Sequence, residues 1–304
     1  MRAAALNFRD LMILNDYYVF PTKPGLIPLC DGAGEVVAVG EGVTRFGIGD
    51  AVLPNFLQKW IGGKLTPDTM GFDIGGALPG VLAQYIVLDQ EGLVAMPSNL
   101  SFQEGASLAC AGLTAWNGLV GQEPIFPGDV VLVQGTGGVS LFALQFAKLF
   151  GARVIATTSS AEKVDYFRKI GADDVINYVE TPEWDKAVQD LTGGRGVDRV
   201  IEVGGPSTLE RSARSLRIGG RISAIGFVAG IGEKIDPVAL IARQASLDVV
   251  AAGSRSDFEK MNRAIAQHGL HPVIDKVFAF EAARDAYEHL AARRHVGKVV
   301  IDIA

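Results

Sequence analysis

The chain reads as an α/β protein in which a doubly wound parallel sheet is inserted into a β domain. Three observations predict this. Residues up to about 110 are short β-type segments punctuated by glycine and proline. From Gly128 the rhythm changes to apolar strands alternating with helical stretches, as in a parallel sheet wrapped by helices. The last apolar segment, 298–303, ends as a strand with no helix after it and returns to the first domain. The expected boundaries are 1–112 for the β domain, 113–262 for the insert and 263–304 for the return. With 304 residues, 48% of them hydrophobic, the chain can bury two such cores.

The β domain shows most clearly in Gly34-Glu35-Val36-Val37-Ala38-Val39-Gly40 and Gln84-Tyr85-Ile86-Val87-Leu88, where β-branched and aromatic residues alternate with smaller ones. Between them, 55–76 is long for a connection without structure of its own. Its Phe56, Trp60 and Phe72 suit either a lid over a substrate pocket or a plug in the β domain. In the insert, Val130-Val131-Leu132-Val133 suits a strand buried on both faces. Helices at 139–150 and 161–170 and strands at 153–157 and 175–177 complete a βαβαβ unit. Strands at 198–203 and 221–225 extend it, and 246–251 is the expected edge. Segment 276–280 resembles 298–303.

Composition removes several classes of function. Twenty-eight basic against 34 acidic side chains, with no Lys/Arg-rich block, make nucleic acid an unexpected partner. No apolar run reaches membrane-span length and the first residues lack a signal-peptide core, so the expectation is a cytoplasmic protein away from membranes. Cys30 and Cys110 are too few for a disulfide framework or a four-thiolate zinc site, and both are expected reduced. His268 and His271 have ligand-like spacing but lie near a helix end, while His289 and His295 read as surface residues.

The chemistry starts at Gly135-Thr136-Gly137-Gly138, directly after the first buried strand and before a helix opening at Val139. Glycines there let the chain turn tightly and bring bare backbone to a pyrophosphate, which sits on the positive end of the helix. The third position of this Rossmann fingerprint carries Ser140, small enough for close helix–strand packing. The second strand ends Thr157-Thr158-Ser159-Ser160, with Lys163 following. An acid at that place binds a ribose 2'-hydroxyl; a hydroxyl-lined site beside a cation favours the 2'-phosphate of NADPH. Ser159 could also cap a helix, and Lys163 could be solvated.

Motifs spread over the whole chain then add a resemblance. Ala5-Leu6-Asn7-Phe8-Arg9-Asp10, the run Asp31–Gly40, Gly47-Ile48-Gly49-Asp50-Ala51-Val52, Cys110-Ala111-Gly112-Leu113-Thr114-Ala115-Trp116 and Gln134–Val139 resemble, in order, the medium-chain dehydrogenase/reductase superfamily and its zinc-lacking, quinone oxidoreductase-like branch. The resemblance implies a GroES-like β domain interrupted by a Rossmann domain, with the active site in the cleft between them. It also implies a homodimer or homotetramer joined through the sheet edge at 246–251. Members of the family carry a further hairpin ahead of Ala5-Leu6-Asn7, so the β domain is expected to be shortened, with an edge and part of an apolar face exposed.

The family's zinc-binding positions correspond to Asn7, Cys30 followed by Asp31, and Cys110; an amide in place of a thiolate and the loss of the imidazole imply no metal. The implied activity is hydride transfer between NADPH and a quinone, an activated alkene or a carbonyl/alcohol pair. A cofactor-binding protein with little catalysis and a zinc-dependent alcohol dehydrogenase are the alternatives. Asn7 and Asp10 are candidates for polar groups at the nicotinamide, or for a capped helix start. Thr114 is a candidate cofactor contact or a helix-packing residue. Further candidate cofactor contacts are Tyr178, Gly204, Gly226 with Phe227, Gly253 with Ser254, and Lys298, which could equally be solvated on a closing strand.

Overall fold

A computed structural model describes residues 1–18, 22–230 and 237–303. Its strands, in chain order, are β1 (Ala3–Ala5), β2 (Asp31–Glu35), β3 (Ala51–Pro54), β4 (Leu93–Ala95), β5 (Val130–Gln134), β6 (Arg153–Thr158), β7 (Asp174–Asn177), β8 (Val197–Glu202), β9 (Leu216–Ala224), β10 (Ser246–Val249), β11 (Ile274–Ala279) and β12 (Lys298–Asp302). They form two sheets, ordered β11-β12-β1-β2-β3-β4 and β10-β9-β8-β5-β6-β7. The chain divides accordingly into Met1–Leu113 with Ala252–Ala304, and Thr114–Ala251.

The second unit is the doubly wound sheet. All its neighbouring strands run parallel, with Leu132 opposite both Ile155 of β6 and Val200 of β8. β5 is buried along its length because helices cover both faces. One face packs Leu132, Ile155, Val200 and Ile222 against Trp184, Val188 and Leu209. An aromatic group of Trp116, Phe142, Phe146 and Phe150 comes from helices Leu113–Val120 and Gly138–Leu149 and the residue after the latter. Expected and observed bounds differ by a residue or two here, except that β9 starts at Leu216.

The first unit is less purely β than expected. β1 is hydrogen-bonded on both sides, antiparallel to β12 and to β2, so the chain's end closes onto its beginning. Its core combines Ala4, Leu6, Leu29, Cys30, Ile74, Val299 and Ile301 with Ala286 and Leu290 of helix Ala283–Ala291. Residues 36–40 and 84–88 form no strand, although their composition is strand-like. Propensity alone does not make a strand; it needs a neighbour to pair with. Val37, Val39, Tyr85 and Val87 are exposed there along a groove of about 680 Å³.

Helix Arg255–His268, expected to belong mostly to the insert, belongs to the first unit, which resumes at Ala252 rather than at 263. Asn262 donates to the Ala95 carbonyl at the end of β4, and Arg255 to the carbonyl of Glu91. In 55–76, Phe56 packs against the core and under the Arg9 guanidinium, 5.0 Å from its ring centre, so this aromatic is a plug.

Candidate functional site

The glycine turn follows β5 directly. Gly135 has φ +68°, a conformation open to glycine but strained for other residues, and a methyl group added at Gly135 or Gly137 would meet no atom of the described residues within 4 Å. The turn therefore borders open space. Gly137 caps helix Gly138–Leu149 without contributing a side chain, which leaves the first backbone N–H groups, at Gly138 and Val139, for a ligand. Beneath the turn, buried Ser140 donates to the Gln134 carbonyl at 2.5 Å and locks helix to strand, the role small size at that position predicts.

Three further sequence candidates lie at the carboxyl ends of β6 and β7 or in the helix after β6. Thr158 is buried at the end of β6, and Tyr178 follows β7, exposed, its N–H bonded to the Thr158 carbonyl at 2.9 Å. Lys163 reaches back so that its ammonium donates to Thr136 Oγ1 at 3.0 Å. A cation is thus fixed at the turn. Ser159 is exposed, and the residue before helix Ala161–Lys169 is Ser160, so the N-cap alternative moves one residue along.

Gly204, Gly226 and Phe227 lie at the carboxyl ends of β8 and β9, but their geometry is tight rather than open. A methyl group on Gly204 would come 2.3 Å from Thr208 Oγ1, and one on Gly226 3.1 Å from the Val203 carbonyl oxygen. Sequence reasoning missed what organises this corner. Glu202, buried at the end of β8, accepts from the N–H groups of Gly204 and Gly205, from Thr208 Oγ1, from Gln134 Nε2 and from Ser212 Oγ. Five donors on one carboxylate hold the ends of β5 and β8 together. An acid at the end of an apolar strand, followed by two glycines, was the available signal.

Gly253, Ser254 and Lys298 fall in the first unit. Ser254 caps helix Arg255–His268, accepting from the Asp257 N–H, so its hydroxyl is spent on the fold. Thr114 is buried in helix Leu113–Val120, where packing accounts for it.

Lys298 is neither solvated nor free for a phosphate: it is 3% exposed and belongs to a polar cluster within the first unit. Its ammonium donates to the Leu6 carbonyl at 2.8 Å, Asn7 Oδ1 at 2.6 Å and Asp31 Oδ2 at 3.0 Å. Asn7 Nδ2 also donates to Asp31 Oδ2, at 2.9 Å. Cys30, Asp31 and Cys110 bring their ligand-type atoms within 4.8 Å of one another. Burial pushes the Cys30 thiol up, reinforced by Cys110 and Asp31.

Asn7 and Asp10 form the capped helix start that was one of their two sequence readings. Asn7 is the extended residue before helix Phe8–Leu14, and its N–H donates to Asp10 Oδ2 at 2.7 Å, while its side chain reaches into the cluster. Asp10 is buried, which raises its carboxyl to about 6 against the pull of Arg9. Arg9 itself is paired with Asp73 at 2.9 Å. Neither His271, on Glu104, nor His289, on Asp275, joins the cluster.

Comparison with known proteins agrees with this architecture. Residues 1–98 match the alcohol dehydrogenase GroES-like domain and 138–267 the zinc-binding dehydrogenase family. A zinc-type alcohol dehydrogenase-like protein of Schizosaccharomyces pombe is 43% identical over 309 residues, covering all of this chain and 89% of that protein. A 2-haloacrylate reductase of Burkholderia is 28% identical, covering 92% of this chain and 81% of that one. Among solved structures, an NAD-dependent alcohol dehydrogenase superposes with TM-score 0.89 at 35% identity, covering 100% of this chain and 90% of that one. A mycobacterial protein complexed with NADPH superposes with TM-score 0.83 at 28% identity, covering 99% and 90%. With a Rossmann sheet, an open glycine turn and these relatives, the chain belongs to the medium-chain dehydrogenase/reductase superfamily and is an NAD(P)-dependent oxidoreductase.

Proposed function

We propose that the protein transfers hydride between NADPH and a small quinone, activated alkene or carbonyl compound without a metal. The observation that carries the metal-free part is the Lys298 ammonium inside the Cys30–Asp31–Cys110 set. A Zn(II) ion beside it would face a fixed positive charge; at about 4 Å and an effective dielectric of about 20, that repulsion is on the order of 8 kcal/mol. Asp31 is already paired with the lysine, Asn7 is a neutral donor, and the raised Cys30 thiol resists becoming the thiolate zinc requires. These residues do not fit a catalytic zinc.

The preference for the 2'-phosphate rests on Lys163 at Thr136 and on hydroxyl groups, with no acid, at the end of β6. Bound nicotinamide supplies the hydride chemistry. The chain's own contribution is to hold and to polarise. Bare backbone at Gly135 and Gly137 and the N–H groups of Gly138 and Val139 receive the pyrophosphate. Half-buried Asn7 is fixed by Lys298 and Asp31, and the Nδ2 hydrogen that makes only a long 3.7 Å contact to Cys30 Sγ is the one a substrate oxygen would take over. Asp10 acts through Asn7, as a positioning residue.

Mixing the protein with NADPH or NADH and a panel of quinones, enones and aldehydes, while following loss of reduced-nicotinamide absorbance, tests this reading. Turnover should occur with NADPH in the protein as purified, free of zinc. Tighter binding of NADH would overturn the assignment of Lys163. Binding without turnover across the panel would leave a nucleotide-binding protein, and stoichiometric zinc would restore the alcohol dehydrogenase alternative.

A further inference from the structure

We infer that the Lys298 ammonium is the resident cation of the Cys30–Asp31–Cys110 cluster and that it keeps divalent metal out by occupying Asp31 and Asn7. The inference rests on the metal-free reading above and adds the residue responsible. An ammonium has three N–H donors, and here each has an acceptor: Leu6 O, Asn7 Oδ1 and Asp31 Oδ2. Asp31 is completely buried, so it needs a positive partner, and the lysine is the one it is paired with. Asp31 Oδ1 accepts from the Cys30 thiol at 3.5 Å, which uses the sulfur as a donor rather than as a ligand. One lysine thus supplies the charge that balances the carboxylate and orients the amide.

Removing the charge should reverse the selectivity. Lys298→Met keeps an unbranched stem of similar bulk but leaves Asp31 as a buried carboxylate without its cation beside the sulfurs of Cys30 and Cys110, a donor set for a divalent ion. Co(II) is the probe, because thiolate coordination gives it an intense charge-transfer band. The native protein should take up no stoichiometric Co(II) and show no band. Lys298→Met should bind about one equivalent with the band, and adding Cys30→Ser should abolish it. Lys298→Gln, neutral but still able to donate to Asn7 and Leu6, gives a second reading.

Zinc or cobalt bound stoichiometrically by the native protein would overturn both the metal-free reading and the role of Lys298. A metal-free native protein with folded variants that also take up no cobalt would overturn the role of Lys298 alone. Should the variants unfold, Co(II) must raise their thermal midpoint by binding the folded state, and its failure to do so counts against the inference equally.

Discussion

Two residues carry opposite lessons about what a buried or half-buried charge does here. Asp10 is held in the protein interior with its carboxyl raised to about 6 from 3.8. The folded chain keeps that proton through a range where the unfolded chain has lost it. Stability therefore falls as pH rises from about 4 to about 6 and stays lower above, by up to about 3 kcal/mol at about 1.4 kcal/mol per pKa unit. Asp10→Asn, which can still accept from the Asn7 N–H, should flatten this slope; urea midpoints at pH 4 and pH 7 should move together, and an unchanged difference would refute the assignment. Lys163 instead carries its charge toward a ligand. Lys163→Gln should weaken NADPH binding about tenfold or more, the worth of one charge-assisted hydrogen bond, and leave NADH nearly unaffected. Fluorescence titration with both nucleotides checks the difference. Lys163 was legible because it stands five residues beyond the end of a recognisable strand, β6. Lys298 was singled out, but its partner Asp31 lies 267 residues away, a pairing that no local spacing reveals.

Among the elements, legibility followed how far each strand depends on its neighbours. β5, β6 and β8 are buried along nearly their whole length, and their bounds emerge within a residue or two because burial on both faces leaves one reading. Segments 36–40 and 84–88 look like strands by composition and are not, since strand formation is decided by a partner. Most of helix Arg255–His268 lies within the expected insert bounds of 113–262, but its anchorage through Asn262 to Ala95 is a contact across 167 residues, which no local pattern reveals. The glycine turn lies between these cases, since its position was readable and its openness was not. That openness makes a clean experiment possible. Gly137 has φ −71°, and no atom of the described residues lies within 4 Å of an added methyl group, so Gly137→Ala should leave the unfolding free energy within about 0.5 kcal/mol of native, as for a harmless surface change. It should nevertheless abolish nucleotide binding, because the methyl group projects into the space the pyrophosphate needs. Retained affinity would show that the phosphates pass elsewhere.

For the molecule as a whole, the open question is what covers its free sheet edge. Among the described residues β10 has β9 on one side and no strand on the other, so it presents an open edge. Val249 is 82% exposed and Leu247 39%, apolar residues that a lone edge would be expected to replace with charge. Asp248 does not blunt the edge, because it is engaged by Arg221 at 2.8 Å. We propose that two copies pair through this strand, extending each parallel sheet into its partner about a twofold axis. Pairing of this kind would withdraw the exposed valine and satisfy the free N–H and C=O groups together. Light scattering coupled to size exclusion should then give at least twice the 32.2 kDa of one chain. Lys at both 247 and 249 should return the protein to a single chain, because two charged side chains would face their own copies across the axis. Circular dichroism should be unchanged, since both residues lie on the edge strand and Val249 is largely in solvent. A native protein that already runs at the mass of one chain, or a doubly substituted one that stays paired, would remove β10 as the contact.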